Sequence, residues 1–130
     1  MAKVLIVEDS PAQAAIIAEI VRDAGHEPFV CRDFSKGVTS LFATGVPDLV
    51  LLDLMLLGPD GKPVGDGFQL CREIKRLTKN TVAVVVVSAQ EDETSAEWAL
   101  MQGADAFLQK PFAVEDLLSV MTEALAVIGK

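Results

Sequence analysis

PDLVLLDLM, residues 47–55, runs four apolar residues together, Leu49 to Leu52, and then delivers an aspartate, Asp53. A strand with one wet face alternates apolar and polar. An unbroken run asks for cover on both faces, which is the pattern of a parallel sheet between two layers of helix. Val4–Val7 and Val82–Val87 have the same character, and Pro28–Cys31 and Ala106–Gln109 are weaker candidates.

Segments of helical period separate these runs. The first opens with Ser10 at the N-cap and Pro11 at the first helical position. Its apolar residues Ile16, Ile17, Ile20, Val21 and Ala24 recur at three and four, and Gly25 supplies the stop. A second helix is expected over 35–43, a third after an Asp66 cap, and a fourth over about 93–102, ending at Gly103. The last, Val114–Ile128, repeats the spacing through Leu117, Leu118, Met121, Ala124, Leu125 and Ile128. Strand and helix thus alternate five times, and the expected fold class is α/β, a doubly wound five-stranded parallel sheet. Right-handed crossovers place every strand C-terminus on one edge, where ligands of such sheets bind.

Composition agrees with one core. The chain has 130 residues, 51% hydrophobic and 23% charged, the size of a single domain and too apolar for disorder. No apolar run reaches the ~20 residues that a membrane-spanning helix needs. MAKVLIVEDS ends its apolar run in two acids and has no small-residue cleavage site, so no signal peptide is read and a cytoplasmic location is expected. Cys31 and Cys71 lack CxxC spacing and read as apolar filler. A net charge of −8 and a pI near 4.5 argue against nucleic acid and favour a cation or a basic protein surface.

The side chains delivered to the strand ends are Glu8 and Asp9 after the first, Asp53 after the third, Ser88 after the fourth and Lys110 after the fifth. Each has an ordinary explanation alone, as a cap, a turn residue or a solvated charge. Together they would set three carboxylates on one rim, where they repel unless a cation neutralises them. Oxygen ligands on short loops suit Mg2+.

VLIVEDS, PDLVLLDLM, VVVVSA and GADAFLQKPF jointly resemble the receiver domains of two-component response regulators, as in the single-domain chemotaxis regulator, over essentially the whole chain. The resemblance implies a flavodoxin-like (βα)5 sheet of order 2-1-3-4-5, with 1–130 as one receiver domain and no output domain. It implies that Asp53 is the phospho-acceptor, with Mg2+ as cofactor held directly by Asp9, Asp53 and the backbone carbonyl of Met55, and by Glu8 through water. Lys110 would pair with the phosphoryl group, Ser88 would donate a hydrogen bond to it, and Ala89 would keep the site accessible. Phosphorylation by a sensor histidine kinase or phosphotransfer protein would pull on Ser88 and let Phe107 rotate inward. That would change the face formed by the fourth helix, fifth strand and fifth helix, where a downstream protein docks. The family is a signalling switch that catalyses only its own phosphorylation and dephosphorylation.

Trp98, in AEWALMQGA, reads either as core filling or as a partner contact on that face, since aromatics anchor interfaces; QEDET with this segment is weakly similar to regulators of motility and phototaxis. LGPDGKPVG, residues 57–65, makes the loop after Asp53 longer than the family's and carries the turn signal Pro-Asp-Gly. It leaves from the phosphorylation rim, so it either shapes access there or is a neutral insertion. Other readings are a haloacid dehalogenase-type phosphatase, which would need an acid where Met55 stands, and a nucleotide or flavin module, which would need a glycine-rich loop in place of EDSPAQ. A phosphorelay intermediate and a phosphorylation-independent interaction module also remain open.

Overall fold

The computed structural model describes residues 2–8, 11–31, 45–53, 67–79, 81–88, 103–109 and 112–128. In chain order these form β1 (Lys3–Val7), α1 (Pro11–Asp23), β2 (Glu27–Cys31), β3 (Leu49–Asp53), α2 (Gly67–Leu77), β4 (Ala83–Ser88), β5 (Ala106–Gln109) and α3 (Val114–Ile128). The helices expected over 35–43 and 93–102, the Ser10 and Asp66 caps and the 57–65 loop lie outside the described residues. All strand pairs are parallel, and the order is β2-β1-β3-β4-β5.

The unbroken apolar runs become strands because both faces are covered. Leu5, Val7, Val50, Leu52, Val84 and Val86 pack with Cys71 and Ile74 of α2, while Val4, Ile6, Leu49, Leu51, Val85 and Val87 pack with α1 and α3. Each of β1, β3 and β4 thus divides by the two-residue period between two apolar layers. Burial of each Leu, Ile or Val contributes about 1.5–3 kcal/mol, and these layers are the main source of stability.

In α1 the inward residues are Ala14, Ile17 and Val21. Ile16, expected inward, is 59% exposed. Neighbouring helix positions point about 100° apart, so two adjacent isoleucines cannot both face the sheet, and the 14-17-21 stripe takes the core. Ala24 is exposed in the turn after the helix, which Gly25 completes at φ +90. In α3 the stripe is Leu117, Met121 and Ala124, as the period predicts.

Aspartates hold the strand beginnings. Asp48, just before β3, donates its backbone N–H to Lys3 O (2.8 Å) and accepts the Lys3 N–H at Oδ2 (2.8 Å). Asp105, just before β5, donates its backbone N–H to Val84 O (2.8 Å) and accepts the Val84 N–H at Oδ2 (2.8 Å). At the start of β1, His26 Nδ1 accepts the Ala2 N–H at 3.0 Å.

Leu117→Ala is expected to lower unfolding free energy by about 3 kcal/mol in urea titration, and Ile16→Ala to change it by less than about 0.5 kcal/mol. Comparable losses for the two would contradict the assignment of the α1 core stripe.

Candidate functional site

The register of the sheet fixes which residues share its C-terminal edge. Val7 lies opposite Leu52, so the next row along places Glu8 beside Asp53, and Asp53 lies opposite Val87. Ser88, the last residue of β4, lies opposite Gln109, the last residue of β5. Lys110 follows directly in the chain. Three of the expected residues therefore end or follow three strands at one edge.

Glu8 prolongs the β1–β2 ladder by donating its backbone N–H to Cys31 O at 3.4 Å, and the residue is 2% exposed. A carboxylate so deeply buried is costly unless charge or hydrogen bonds compensate it. Phe107 is half-buried, lies opposite Val86, and packs against the apolar layer shared with α2. Asp9, Met55, Ala89, Trp98 and Lys110 lie outside the described residues, as do the side chains of Asp53 and Ser88. Among the described residues no three His, Cys, Asp or Glu side chains gather as a cation site. By residue type alone, Glu8, Asp9, Asp53 and a Met55 carbonyl offer only oxygen, which is the donor chemistry of a hard cation such as Mg2+.

The opposite edge holds charges that sequence reading did not single out. Lys75 of α2 makes an ion pair with Asp105 at 2.8 Å, with the two side chains only 9% and 11% exposed. The same ammonium donates to Val82 O at 2.9 Å. The signal was present in the chain as a lysine one place after Ile74 on an amphipathic helix, a position that reads as snorkelling to solvent. Nothing in the helical period distinguishes that from burial against an aspartate thirty residues away.

Cys71, one turn before Lys75, is fully buried. Burial pushes its thiol from an ordinary 9.0 up to about 12, with nearby Lys75 drawing it down and Asp105 adding to the rise. Its place in the apolar layer agrees with the filler reading, and both cysteines are free thiols.

Residues 4–122 match the family model of the response regulator receiver domain. The chain belongs to that family. It is 32% identical over 127 residues to the protein PilH of Pseudomonas aeruginosa, covering 97% of this chain and 99% of PilH. It is 34% identical over 125 residues to the KDP operon transcriptional regulatory protein KdpE of Escherichia coli K12, covering 96% of this chain and 52% of KdpE. Several of the regulators it matches are about twice its length, and the shared part is about half of each. A receiver domain protein described as CheY-like, from Methanospirillum hungatei, superposes with a TM-score of 0.83 over 99% of this chain and 97% of its own, at 22% identity, which bears on fold alone. The receiver domain is a module of two-component signalling, and the strand order here is the one that the family resemblance implied. No described helix is long and apolar enough to cross a membrane.

The Cys71 thiol gives a pH prediction. Its folded pKa is raised, so the unfolded chain releases this proton first and stability falls as pH climbs from 9.0 toward 12. Denaturation midpoints of wild type should therefore drop more steeply above pH 9 than those of Cys71→Ala; parallel curves would refute the assignment.

Proposed function

We propose that this receiver domain accepts a phosphoryl group from a phosphohistidine donor on Asp53 and uses it to change the face presented to a downstream protein. The observation that supports this reading best is the shared edge, where the register sets Glu8 beside Asp53 and ends β4 and β5 together at Ser88 and Gln109. A carboxylate oxygen of Asp53 attacks phosphorus in line with the phosphorus–nitrogen bond of the donor. That bond breaks, its electron pair leaves with the imidazole nitrogen, and an acyl phosphate forms. Asp9, Asp53 and the Met55 carbonyl would hold Mg2+, with Glu8 acting through water; when bound, the ion neutralises charge on the transferring oxygens. Lys110 supplies a second positive charge, and Ser88 donates a hydrogen bond to the attached phosphoryl group.

The added charge, about −1.5 to −2, pulls on Ser88. Phe107 is suited to respond, because β5 is an edge strand and its ring is half-buried rather than locked in the core. The affected face comprises the helix expected over 93–102 with Trp98, β5 and α3. The donor is a sensor histidine kinase or a phosphotransfer protein, the setting is the cytoplasm, and the domain acts as a switch rather than as an enzyme on a separate substrate.

Acetyl phosphate with Mg2+ should add one phosphoryl group to wild type and none to Asp53→Asn by intact-protein mass spectrometry. Lys110→Ala should slow the addition by on the order of a hundredfold. Beryllofluoride should increase capture of a partner by wild type but not by Asp53→Asn. Modification of Asp53→Asn at the wild-type rate would refute the acceptor assignment, and capture indifferent to beryllofluoride would refute the switch.

A further inference from the structure

The two strands that lead to Asp53 and Lys110 begin with the same device. Asp48 and Asp105 each stand one residue before a strand, and each closes a two-way hydrogen bond with one residue of the neighbouring strand, N–H out and Oδ2 in, all at 2.8 Å. Asp53 comes five residues after Asp48, and Lys110 comes five residues after Asp105. We propose that Asp48 and Asp105 are positioning residues for the phosphoryl site, which clip β3 and β5 to their neighbours in one register and so set where Asp53 and Lys110 emerge, with Lys75 locking the second clip. The proposal rests on the phosphoryl-acceptor reading of Asp53.

β5 needs such a device more than any other strand. It has four residues and pairs on one side only, with β4. Its partner is a run of identical side chains, Val84 to Val87, which look alike to a strand sliding past them. In most sheets a slip of one residue exposes apolar groups and is rejected. Here both faces are apolar, and in the middle of the strand a slip exchanges the layers of Phe107 and Leu108, two large apolar side chains. Packing therefore discriminates weakly among alignments, although each step shifts the strand by about 3.3 Å, enough to take an ammonium out of reach of a phosphoryl oxygen.

Asp105 ends this degeneracy. Its carboxylate takes the Val84 N–H and the Lys75 ammonium together, and Lys75 is itself tied to Val82 O. A slipped β5 would leave a lysine and an aspartate buried apart. The adjoining Gly103, at φ +99, brings the chain to Lys75 closely enough that a Cβ there would lie 3.4 Å from the lysine Cγ. β3, by contrast, pairs on both sides, and its β1 neighbours Val4, Leu5, Ile6 and Val7 differ in shape, so its clip at Asp48 is reinforced by a second ladder and by packing.

The test uses Lys75→Met/Asp105→Leu, which removes the clip while replacing a buried ion pair by apolar groups, an exchange that cores often accept. Acetyl phosphate should modify Asp53 at least tenfold more slowly in this variant, β5 amides should exchange at least tenfold faster, and Mg2+ affinity by calorimetry should stay within twofold, because the residues proposed to hold the ion end or follow β1 and β3 in the chain. Phosphorylation at the wild-type rate overturns the proposal, and so does a loss of Mg2+ affinity in step with phosphorylation. Should the double variant not fold, wild type decides: the Val84 amide, held by the Asp105 side chain, exchanges as slowly as amides in the middle of β4, and free exchange there overturns the clip. A wild type inert to acetyl phosphate would instead refute the acceptor reading, with the Val84 amide still reporting on register.

Discussion

A sheet covered on both faces leaves a charged side chain only the ends of its strands. Val4 to Val7, Leu49 to Leu52 and Ala83 to Val87 carry no polar side chain, and all are buried. A charge in their middle would meet apolar atoms above and below and lose its hydration without compensation. Polar residues are thereby sorted to two edges. Lys3, Asp48 and Asp105 stand where β1 begins and just before β3 and β5, while Glu8, Asp53 and Ser88 stand where strands end.

The two edges use aspartate differently. At the beginnings, Asp48 and Asp105 spend their Oδ2 atoms on backbone N–H groups that the ladder would otherwise leave unpaired, which is a structural use. At the ends, Glu8 and Asp53 are set on adjacent strands, where two carboxylates gain nothing from each other. Two carboxylates brought together there would repel unless a cation neutralised them, which is the basis of the proposed Mg2+ site. A parallel sheet concentrates one kind of site because its strand ends all face the same way.

These physical differences explain what the sequence made legible. The three strong strands could be read because two-sided burial writes a continuous apolar run, and the C-terminal helix because Leu117, Met121 and Ala124 keep its period. β2 was weaker for a reason its position explains: Pro28 cannot donate a ladder hydrogen bond, and such a strand belongs at an edge, where β2 lies. Glu8, Asp53 and Ser88 could be placed at one edge because they close apolar runs. Lys75, Asp105 and Asp48 could not be found in that way. Their roles come from partners distant in sequence, and an aspartate before a strand resembles any turn residue. Ile16 and Ile17 look alike in the sequence, because hydrophobicity alone does not say which of two adjacent isoleucines faces the sheet.

The burial that makes this fold stable also makes it permissive. Apolar contact is non-directional and scales with area, so valine against valine is nearly as good one place along. Hydrogen bonds are directional and fail when misaligned. A buried ion pair adds little net stability over an apolar replacement, yet separating its members leaves uncompensated charge at a cost of about 3–5 kcal/mol. The Lys75–Asp105 pair is thus worth more as a penalty on wrong alignments than as a bonus for the right one. Five residues of strand rise span about 16 Å, so the geometry of the candidate site depends on side chains at the far edge of the sheet that never approach it.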